Sequence, residues 1–198
     1  MGRDKALLEI NGVTQIRRAT NLLTPLVAKI TLVTSADQFG NPGNTNPYSA
    51  FGFPTLADRW QNAGPLGGIA TALSTAQTPW CVILACDMPF ITTEWITYLL
   101  GRTAESESQS DASPQTDLII PETERGLEPL CAIYRARCAP ILASALDGGV
   151  RKVTDALARL KQTRITESKW RTFSPDGNLF GNLNTWEDYL EAQQRLKS

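Results

Sequence analysis

The stretch W-C-V-I-L-A-C-D-M-P, residues 80–89, joins a continuous apolar run to an acidic residue and a proline. An apolar run of this kind, residues 80–85, is typical of a strand buried on both faces in a parallel sheet. We therefore place the strand at the centre of a sheet, with Asp87 just beyond its carboxyl end. Because ligands of open α/β sheets bind at that edge, Asp87 is the first candidate functional residue.

The segments on both sides of this run alternate between strand and helix patterns. Strand patterns occupy residues 29–33, 53–56, 118–121 and 129–134, and helical patterns occupy residues 13–26, 64–76, 92–100, 139–146, 150–160 and 185–196. The alternation predicts an α/β fold with a mainly parallel sheet that helices cover on both faces. Residues 101–117, rich in Ser, Glu and Gln, are predicted to form a mobile loop. The length of 198 residues indicates one domain.

Composition excludes several classes of function. The chain has 19 Lys and Arg against 20 Asp and Glu, so it lacks the positive field that nucleic-acid binding requires. It has no histidine, which excludes Ser-His-Asp hydrolases and His-ligated zinc sites. Its four cysteines show no C-x-x-C spacing, as expected of buried thiols in a reducing compartment. No apolar run approaches membrane-spanning length, and the first residues are charged. We therefore expect a soluble cytoplasmic protein that binds neither nucleic acid nor membrane.

Asp87 has two interpretations. An ionised carboxylate after a buried strand needs a partner that offsets its desolvation, and Mg²⁺ bound to nucleotide phosphates would serve. Alternatively, Asp87 caps the helix that begins near Thr92, or makes a turn with Pro89. Position alone favours neither interpretation.

Three further motifs carry candidate residues. Residues 64–68, G-P-L-G-G, would let backbone N–H groups approach a phosphate at a helix N-terminus, or would simply form a tight turn. Asn182 and Asn184 precede the final helix, where either amide could bind a ligand or serve as the N-cap. Lys5, by itself, looks like any surface lysine.

Taken in order, these motifs resemble the molybdenum cofactor guanylyltransferase family. The matching segments run nearly from end to end: M-G-R-D-K-A-L-L at 1–8, G-P-L-G-G at 64–68, C-D-M-P-F at 86–90, E-P-L at 128–130 and N-L-N-T-W-E-D at 182–188. The resemblance implies the three-layer α/β/α sandwich of nucleotide-diphospho-sugar transferases. It also implies an enzyme that transfers GMP from GTP to molybdopterin and releases pyrophosphate, with Mg²⁺ as cofactor.

The same resemblance assigns roles to residues. Lys5 and Asp87 would be catalytic, with Lys5 contacting the triphosphate and Asp87 holding Mg²⁺. Thr34 stands where relatives often place an Asn that contacts substrate. Asn182 and Asn184 would meet the pterin. The nucleotide would lie along Asp58, Gly64, Pro65, Leu66 and Gly67.

Two departures from the family pattern matter. The family begins with a strand and a glycine-rich loop that grips the phosphates, and this sequence starts at the Met-Gly that follows them. We therefore treat residues 1–198 as a single nucleotidyltransferase domain that is incomplete at its N-terminus, with Met1 an internal methionine of a longer protein. Trp186 replaces the usual proline, which the first turn of a helix tolerates.

The alternatives fall into two classes. One is another transferase of the same fold, either a cytidylyltransferase acting on molybdopterin or an enzyme acting on a different phosphorylated acceptor. The other is a catalytically impaired binding module that associates with other molybdenum-cofactor assembly proteins.

Overall fold

The computed structural model describes residues 4–39, 46–107 and 115–197. The strands are β1 Glu9–Ile10, β2 Val13–Thr14, β3 Leu32–Thr34, β4 Thr55–Ala57, β5 Trp80–Leu84, β6 Leu118–Thr123, β7 Gly126–Leu127, β8 Cys131–Arg135 and β9 Gln162–Ile165. The α-helices are α1 Gln15–Leu23, α2 Ala36–Phe39, α3 Gly64–Ser74, α4 Thr93–Glu107, α5 Ala139–Asp147, α6 Val153–Leu157, α7 Glu167–Trp170 and α8 Trp186–Arg195. Within these ranges, no helix combines the length and the apolarity needed to cross a membrane.

The strands form an α/β arrangement whose sheet is mixed. β3 pairs parallel with β4, and β9 pairs parallel with β6. β8 runs antiparallel to both of its neighbours, β5 and β6. The fold class is thus confirmed, but the described sheet differs from the mainly parallel sheet that we expected. Residues 124–130 alone connect β6 to β8, fewer than the dozen or more that a parallel crossover needs, so β8 has to run back along β6.

Helices cover both faces of the sheet, which gives the expected three layers. Alternate residues of β6 and β8 enter opposite cores because successive side chains of a strand point to opposite faces. Leu118 and Tyr134 pack on one face with α3, α5 and α6. Ile119 and Ile133 pack on the other face with α4 and α7. A small third cluster joins Ile10, next to the N-terminal turn, to α8.

A gap separates the two parts of the sheet. Within the described ranges, no strand pairs with the edge of β3 opposite β4 or with the edge of β5 opposite β8. The space beside these edges is part of a cavity of about 1340 Å³, which α1 and α3 also line. All five residues of β5 are only half-buried in consequence. The apolar run at 80–85 is therefore a strand, as predicted, but it is not fully covered and its described partner is antiparallel.

The predicted mobile loop at 101–117 is partly helical. Helix α4 continues to Glu107, because Leu99 and Ser106 lie on its buried face and Arg102 forms an ion pair with Glu105. Residues 108–114 of the prediction lie outside the described residues. Arg137 bonds the side chains of Gln115 and Asp117, which fixes the approach to β6.

Candidate active site

Lys5 lies on a short capped turn. The 3-10 turn Lys5–Leu7 is preceded by Asp4, whose Oδ1 accepts a hydrogen bond from the Ala6 N–H at 3.0 Å. The β1–β2 hairpin follows, turning at Asn11 and Gly12, which both have positive φ. Asn-Gly is the sequence favoured in two-residue hairpins because both residues tolerate that conformation. The hairpin was missed by sequence analysis, although this dipeptide indicates it.

Asp87 lies where the sheet ladder ends. The Ala85 N–H still donates to the Leu130 carbonyl, at 2.8 Å, and the Asp87 carbonyl accepts from the Leu183 N–H at 3.0 Å. The cap of α4 is Thr92, whose Oγ1 accepts from the Trp95 N–H. Asp87 is therefore not the helix cap, and its side chain is available for other contacts.

Three of the predicted residues meet at this edge of the sheet. Lys5 Nζ lies 3.3 Å from Asp87 Oδ2 and 2.6 Å from Asn184 Oδ1. The Lys5 and Asp87 side chains are 36% and 23% exposed, so the ion pair is accessible from solvent. Folding thus brings together an ammonium, a carboxylate and an amide from three distant parts of the sequence.

The segment before α8 is held by a capping box. The Thr185 side chain accepts from the Asp188 N–H, and the Asp188 carboxylate accepts from the N–H groups of Thr185 and Asn184 at 2.7 and 2.8 Å. These bonds, the Thr185 N–H foremost, lower the pKa of Asp188. Because Thr185 is the N-cap, the Asn184 side chain is left to bond Lys5. Asn182 Oδ1 is buried and has no hydrogen-bond partner in the part of the chain that the structure describes.

Asp58 and the glycine motif at 64–68 lie together in a second part of the site. Asp58 Oδ1 accepts from the Trp60 N–H and from Thr71 Oγ1, both at 3.0 Å. A Cβ on Gly67 would lie 2.4 Å from Asp58 Oδ2, so only glycine allows this approach of α3. The predicted opening of a helix at Gly64 is confirmed, and Gly64 itself has a φ of +57°.

The structure separates the predicted site residues into two groups. One group lines the large cavity: Lys5, Thr34, Asp58, Gly64, Pro65 and Asp87. In the other group, the Leu66 side chain is fully buried in the core and Gly67 packs on Asp58. Asn184 joins the site through Lys5. The roles assigned to these residues stay predictions.

Tyr48 and Asp4 were missed by sequence analysis. Both line the cavity, and the Tyr48 hydroxyl donates to Asp4 Oδ2 at 2.5 Å. Burial is the main cause that raises the pKa of Tyr48 to about 12, and the bond to Asp4 adds to it. No sequence signal marked Tyr48, which follows a stretch of Gly, Asn and Pro. Burial also raises the pKa of Cys86 to about 12, so this thiol is a poor nucleophile.

The donor set at Asp87 restricts which metal ion it fits. Among the described residues, no group of three or more His, Cys, Asp or Glu side chains could hold a metal ion. The described residues therefore do not form a site of three such side chains, as zinc would need. One accessible carboxylate fits Mg²⁺, which takes its other ligands from phosphates and water.

The chain is similar to known nucleotidyltransferases. The family model of the MobA-like NTP transferase domain matches residues 1–162. A probable molybdenum cofactor guanylyltransferase of Peptoclostridium acidaminophilum is 30% identical over 98% of the chain and 83% of the relative. A molybdenum cofactor guanylyltransferase of Desulfosudis oleivorans is 26% identical over 100% of the chain and 89% of the relative.

Solved structures give the same fold. Molybdopterin-guanine dinucleotide biosynthesis protein A from Archaeoglobus fulgidus superposes with a TM-score of 0.79 and 25% identity, covering 99% of this chain and 92% of that chain. The 2-C-methyl-D-erythritol 4-phosphate cytidylyltransferase of Thermus thermophilus superposes with a TM-score of 0.68 over 98% of this chain and 94% of that chain. Its identity of 12% supports a shared fold alone.

Proposed function

The chain belongs to the MobA-like NTP transferase family, and on this premise we propose that it transfers GMP from GTP to molybdopterin and releases pyrophosphate. The observation that carries the proposal is the contact of Lys5 with Asp87 and Asn184 at the carboxyl edge of the sheet. The two relatives described above are named for guanylyl transfer to the molybdenum cofactor, which favours guanine over cytosine.

The residues of the site suit nucleotidyl transfer because this chemistry depends on position and charge rather than on a protein nucleophile. An acceptor phosphate attacks the α-phosphorus in line, and negative charge grows on the departing pyrophosphate. The Lys5 ammonium would offset that charge. The chain has no histidine, and the reaction requires none.

The residues along the cavity and the residues before α8 would bind different substrates. Gly64 and Pro65 open α3, and the first N–H groups of a helix, which lack intrahelical partners, favour phosphate. Asn184 and Asn182, whose buried Oδ1 has no hydrogen-bond partner among the described residues, would meet the pterin. A pterin carries N–H donors that such an oxygen accepts.

We include Mg²⁺ as the cofactor of this reaction, with Asp87 as its protein ligand. When bound, the ion would neutralise phosphate charge and polarise the reacting phosphoryl group. The accessible carboxylate of Asp87 supports this assignment.

A direct assay tests the proposal. The purified protein is incubated with GTP, Mg²⁺ and molybdopterin, and pyrophosphate release is measured together with the mass of the product. We expect one pyrophosphate for each guanine dinucleotide formed, and loss of turnover when EDTA removes the metal. Faster turnover with CTP than with GTP would overturn the choice of guanine, and turnover that EDTA leaves unchanged would overturn the role of Mg²⁺.

The Asp87→Asn variant distinguishes an enzyme from a non-catalytic binding module. In cells that depend on this protein for the dinucleotide cofactor, the enzyme requires the carboxylate and the variant fails to support cofactor formation. A binding module would tolerate the variant. Full activity of Asp87→Asn in cells would therefore reject the enzymatic role.

A further inference from the structure

We propose that Tyr48 is a positioning residue for Lys5, acting through Asp4; this inference rests on the proposed function for its effect on turnover. Tyr48 belongs to the segment 46–52 that follows the undescribed residues 40–45. Its hydroxyl reaches across to the turn that presents Lys5. None of the family motifs described above contains Tyr48, and none of them indicates a hydrogen bond between Tyr48 and Asp4.

Two hydrogen bonds connect Tyr48 to the turn that carries Lys5. The Tyr48 hydroxyl donates to Asp4 Oδ2 at 2.5 Å, and Asp4 Oδ1 accepts from the Ala6 N–H at 3.0 Å. Both oxygens of one carboxylate are thus occupied, one by the tyrosine and one by the turn. The orientation of the turn then sets the direction in which the Lys5 side chain leaves the backbone.

Tyr48 is itself rigidly held. It is only 4% exposed, and its backbone N–H donates to Asn46 Oδ1 at 2.9 Å. Farther along the same segment, the Arg17 guanidinium of α1 lies over the Phe51 ring at 5.1 Å. The Asn46 bond fixes the local conformation of the segment, and the Arg17 contact joins the segment to α1, so Tyr48 can act as an anchor for the turn.

The hydrogen bond between Tyr48 and Asp4 also affects the charges around Lys5. Asp4 and Lys5 are adjacent and line the same cavity, and a free Asp4 carboxylate would compete with Asp87 for the ammonium. The hydrogen bond from Tyr48 holds that carboxylate away from Lys5. Because the Tyr48 hydroxyl keeps its proton throughout the neutral range, it remains a donor at any working pH. Loss of the hydroxyl should therefore change the direction of the Lys5 side chain, while the ring at position 48 keeps its place in the cavity wall.

Tyr48→Phe tests the inference because it removes the hydroxyl and keeps the ring. With GTP and molybdopterin as substrates, we expect kcat to fall by about 10- to 100-fold, the effect of a misplaced catalytic group, while KM for molybdopterin is unchanged. Asp4→Ala should give a similar loss. The double variant should be no slower than Asp4→Ala, because both changes break the same pathway.

A second readout does not depend on turnover. The rate of acylation of Lys5 by a lysine-reactive ester, followed by mass spectrometry, should fall about 3- to 10-fold in Tyr48→Phe, because the freed Asp4 carboxylate would stabilise the unreactive ammonium form by about the strength of one ordinary hydrogen bond. The rate at Lys161, an exposed lysine that is not among the residues lining the cavity, should not change.

Tyr134→Phe is the matched control. Tyr134 is a fully buried tyrosine whose hydroxyl donates to the Pro129 carbonyl at 2.8 Å, with no contact to the Lys5 turn. It should lower stability and leave both readouts unchanged. Wild-type kcat and unchanged Lys5 acylation in Tyr48→Phe would overturn the inference, as would strictly additive losses in the double variant. A wild-type protein without turnover would instead overturn the proposed function, and the acylation rates would still decide the role of Tyr48.

Discussion

At the scale of single residues, the site depends on the ion pair between Lys5 and Asp87. The pair is half-exposed, so its contribution to folding is small, while its two charges face the cavity. Removing a charge from such a pair should therefore affect function far more than stability.

Asp87→Asn is the sharpest test at this scale. The amide keeps the shape of the side chain but removes the charge that would hold Mg²⁺, so we expect kcat to fall by about 10²- to 10³-fold. The thermal midpoint should change by no more than a few degrees, because a partly exposed ion pair contributes about 1 kcal/mol or less. Pyrophosphate release and differential scanning fluorimetry measure the two effects.

Asp155→Asn serves as the control for Asp87→Asn. Asp155 pairs with Lys152 at 4.0 Å on the exposed surface of α6, away from the cavity. It should leave both kcat and stability unchanged. Equal loss of turnover in the two variants would contradict the assigned role of Asp87.

Sequence reasoning found part of this site, for physical reasons. Asp87 was predicted because an acidic residue after an apolar strand has a definite position in an α/β sheet. Lys5 and Asn184 were found through the family resemblance, since neither has a local pattern that marks it. Tyr48 could not be found, because its partner Asp4 is distant in the chain and only tertiary folding joins them.

At the scale of elements, helix α3 illustrates how backbone approach restricts the sequence. Gly67 and Gly68 are neighbours in one turn, but only Gly67 faces Asp58. A Cβ at Gly68 has no described atom within 4 Å. The two glycines should therefore respond in opposite ways to the same substitution.

Gly67→Ala should destabilise the protein by about 1–3 kcal/mol, because Asp58 must move away from Thr71 and the Trp60 N–H to make room. Gly68→Ala should stabilise it by up to about 1 kcal/mol, since alanine is the better helix former. Urea unfolding of both variants measures the difference. Equal effects would show that the contact with Asp58 does not restrict position 67.

Helix α8 gives a prediction about pH. The pKa of Asp188 is lowered by the N–H groups of Thr185 and Asn184. A carboxyl whose pKa is lower in the folded state stabilises the fold above the unfolded value, about 3.9, and loses this contribution as the pH falls through the folded value. Asp188→Asn should therefore flatten the decline in stability below about pH 4 relative to wild type.

Glu187→Gln is the matched variant for this experiment. Glu187 lies in the same first turn and near the same helix end, but Asp188 is the residue that completes the capping box. Chemical unfolding between pH 3 and 6 should show a clear change in slope for Asp188→Asn and a weaker one for Glu187→Gln. The reverse order would show that the helix dipole, rather than the capping box, governs the acid response.

The hairpin and β8 show which elements could be predicted. Capping-box spacing predicted the start of α8, and the structure confirms it. The β1–β2 hairpin was missed because two-residue strands have too few side chains to show alternation. The antiparallel direction of β8 was missed because an apolar strand reads the same in either direction, and the short connection from β6 decides it.

At the scale of the whole molecule, the gap between β3 and β5 is the main departure from a closed sheet. In the part of the chain that the structure describes, two strand edges without a pairing partner border one cavity of about 1340 Å³, which α1 and α3 also line. Unpaired edges and half-covered apolar side chains favour pairing with a further extended segment. Asp4 and Lys5 lie at the carboxyl end of this gap, beside Thr34 and Asp87.

A strand supplied at the N-terminus should close the sheet. We expect that an apolar, valine- and isoleucine-rich strand of about five residues, joined through a glycine-containing linker, raises the free energy of unfolding by about 3 kcal/mol, after the cost of ordering is subtracted. For a protein of this size the thermal midpoint should rise by roughly 6–12 °C. Scanning calorimetry measures the change.

A Gly- and Ser-rich extension of equal length is the control for this fusion. It cannot fill an apolar gap and should leave the midpoint unchanged. If both extensions give the same midpoint, the gap does not bind a strand.

The contacts of Lys5 also bear on how strongly an anion is bound. A free lysine side chain has about 2 kcal/mol of rotamer entropy to lose when a ligand immobilises it. Here Asp87 and Asn184 already restrict that motion in the folded protein, and the ammonium keeps a third N–H that can donate elsewhere. Preorganisation of this kind would strengthen phosphate binding by up to about 30-fold relative to an unrestrained lysine, with no additional contact.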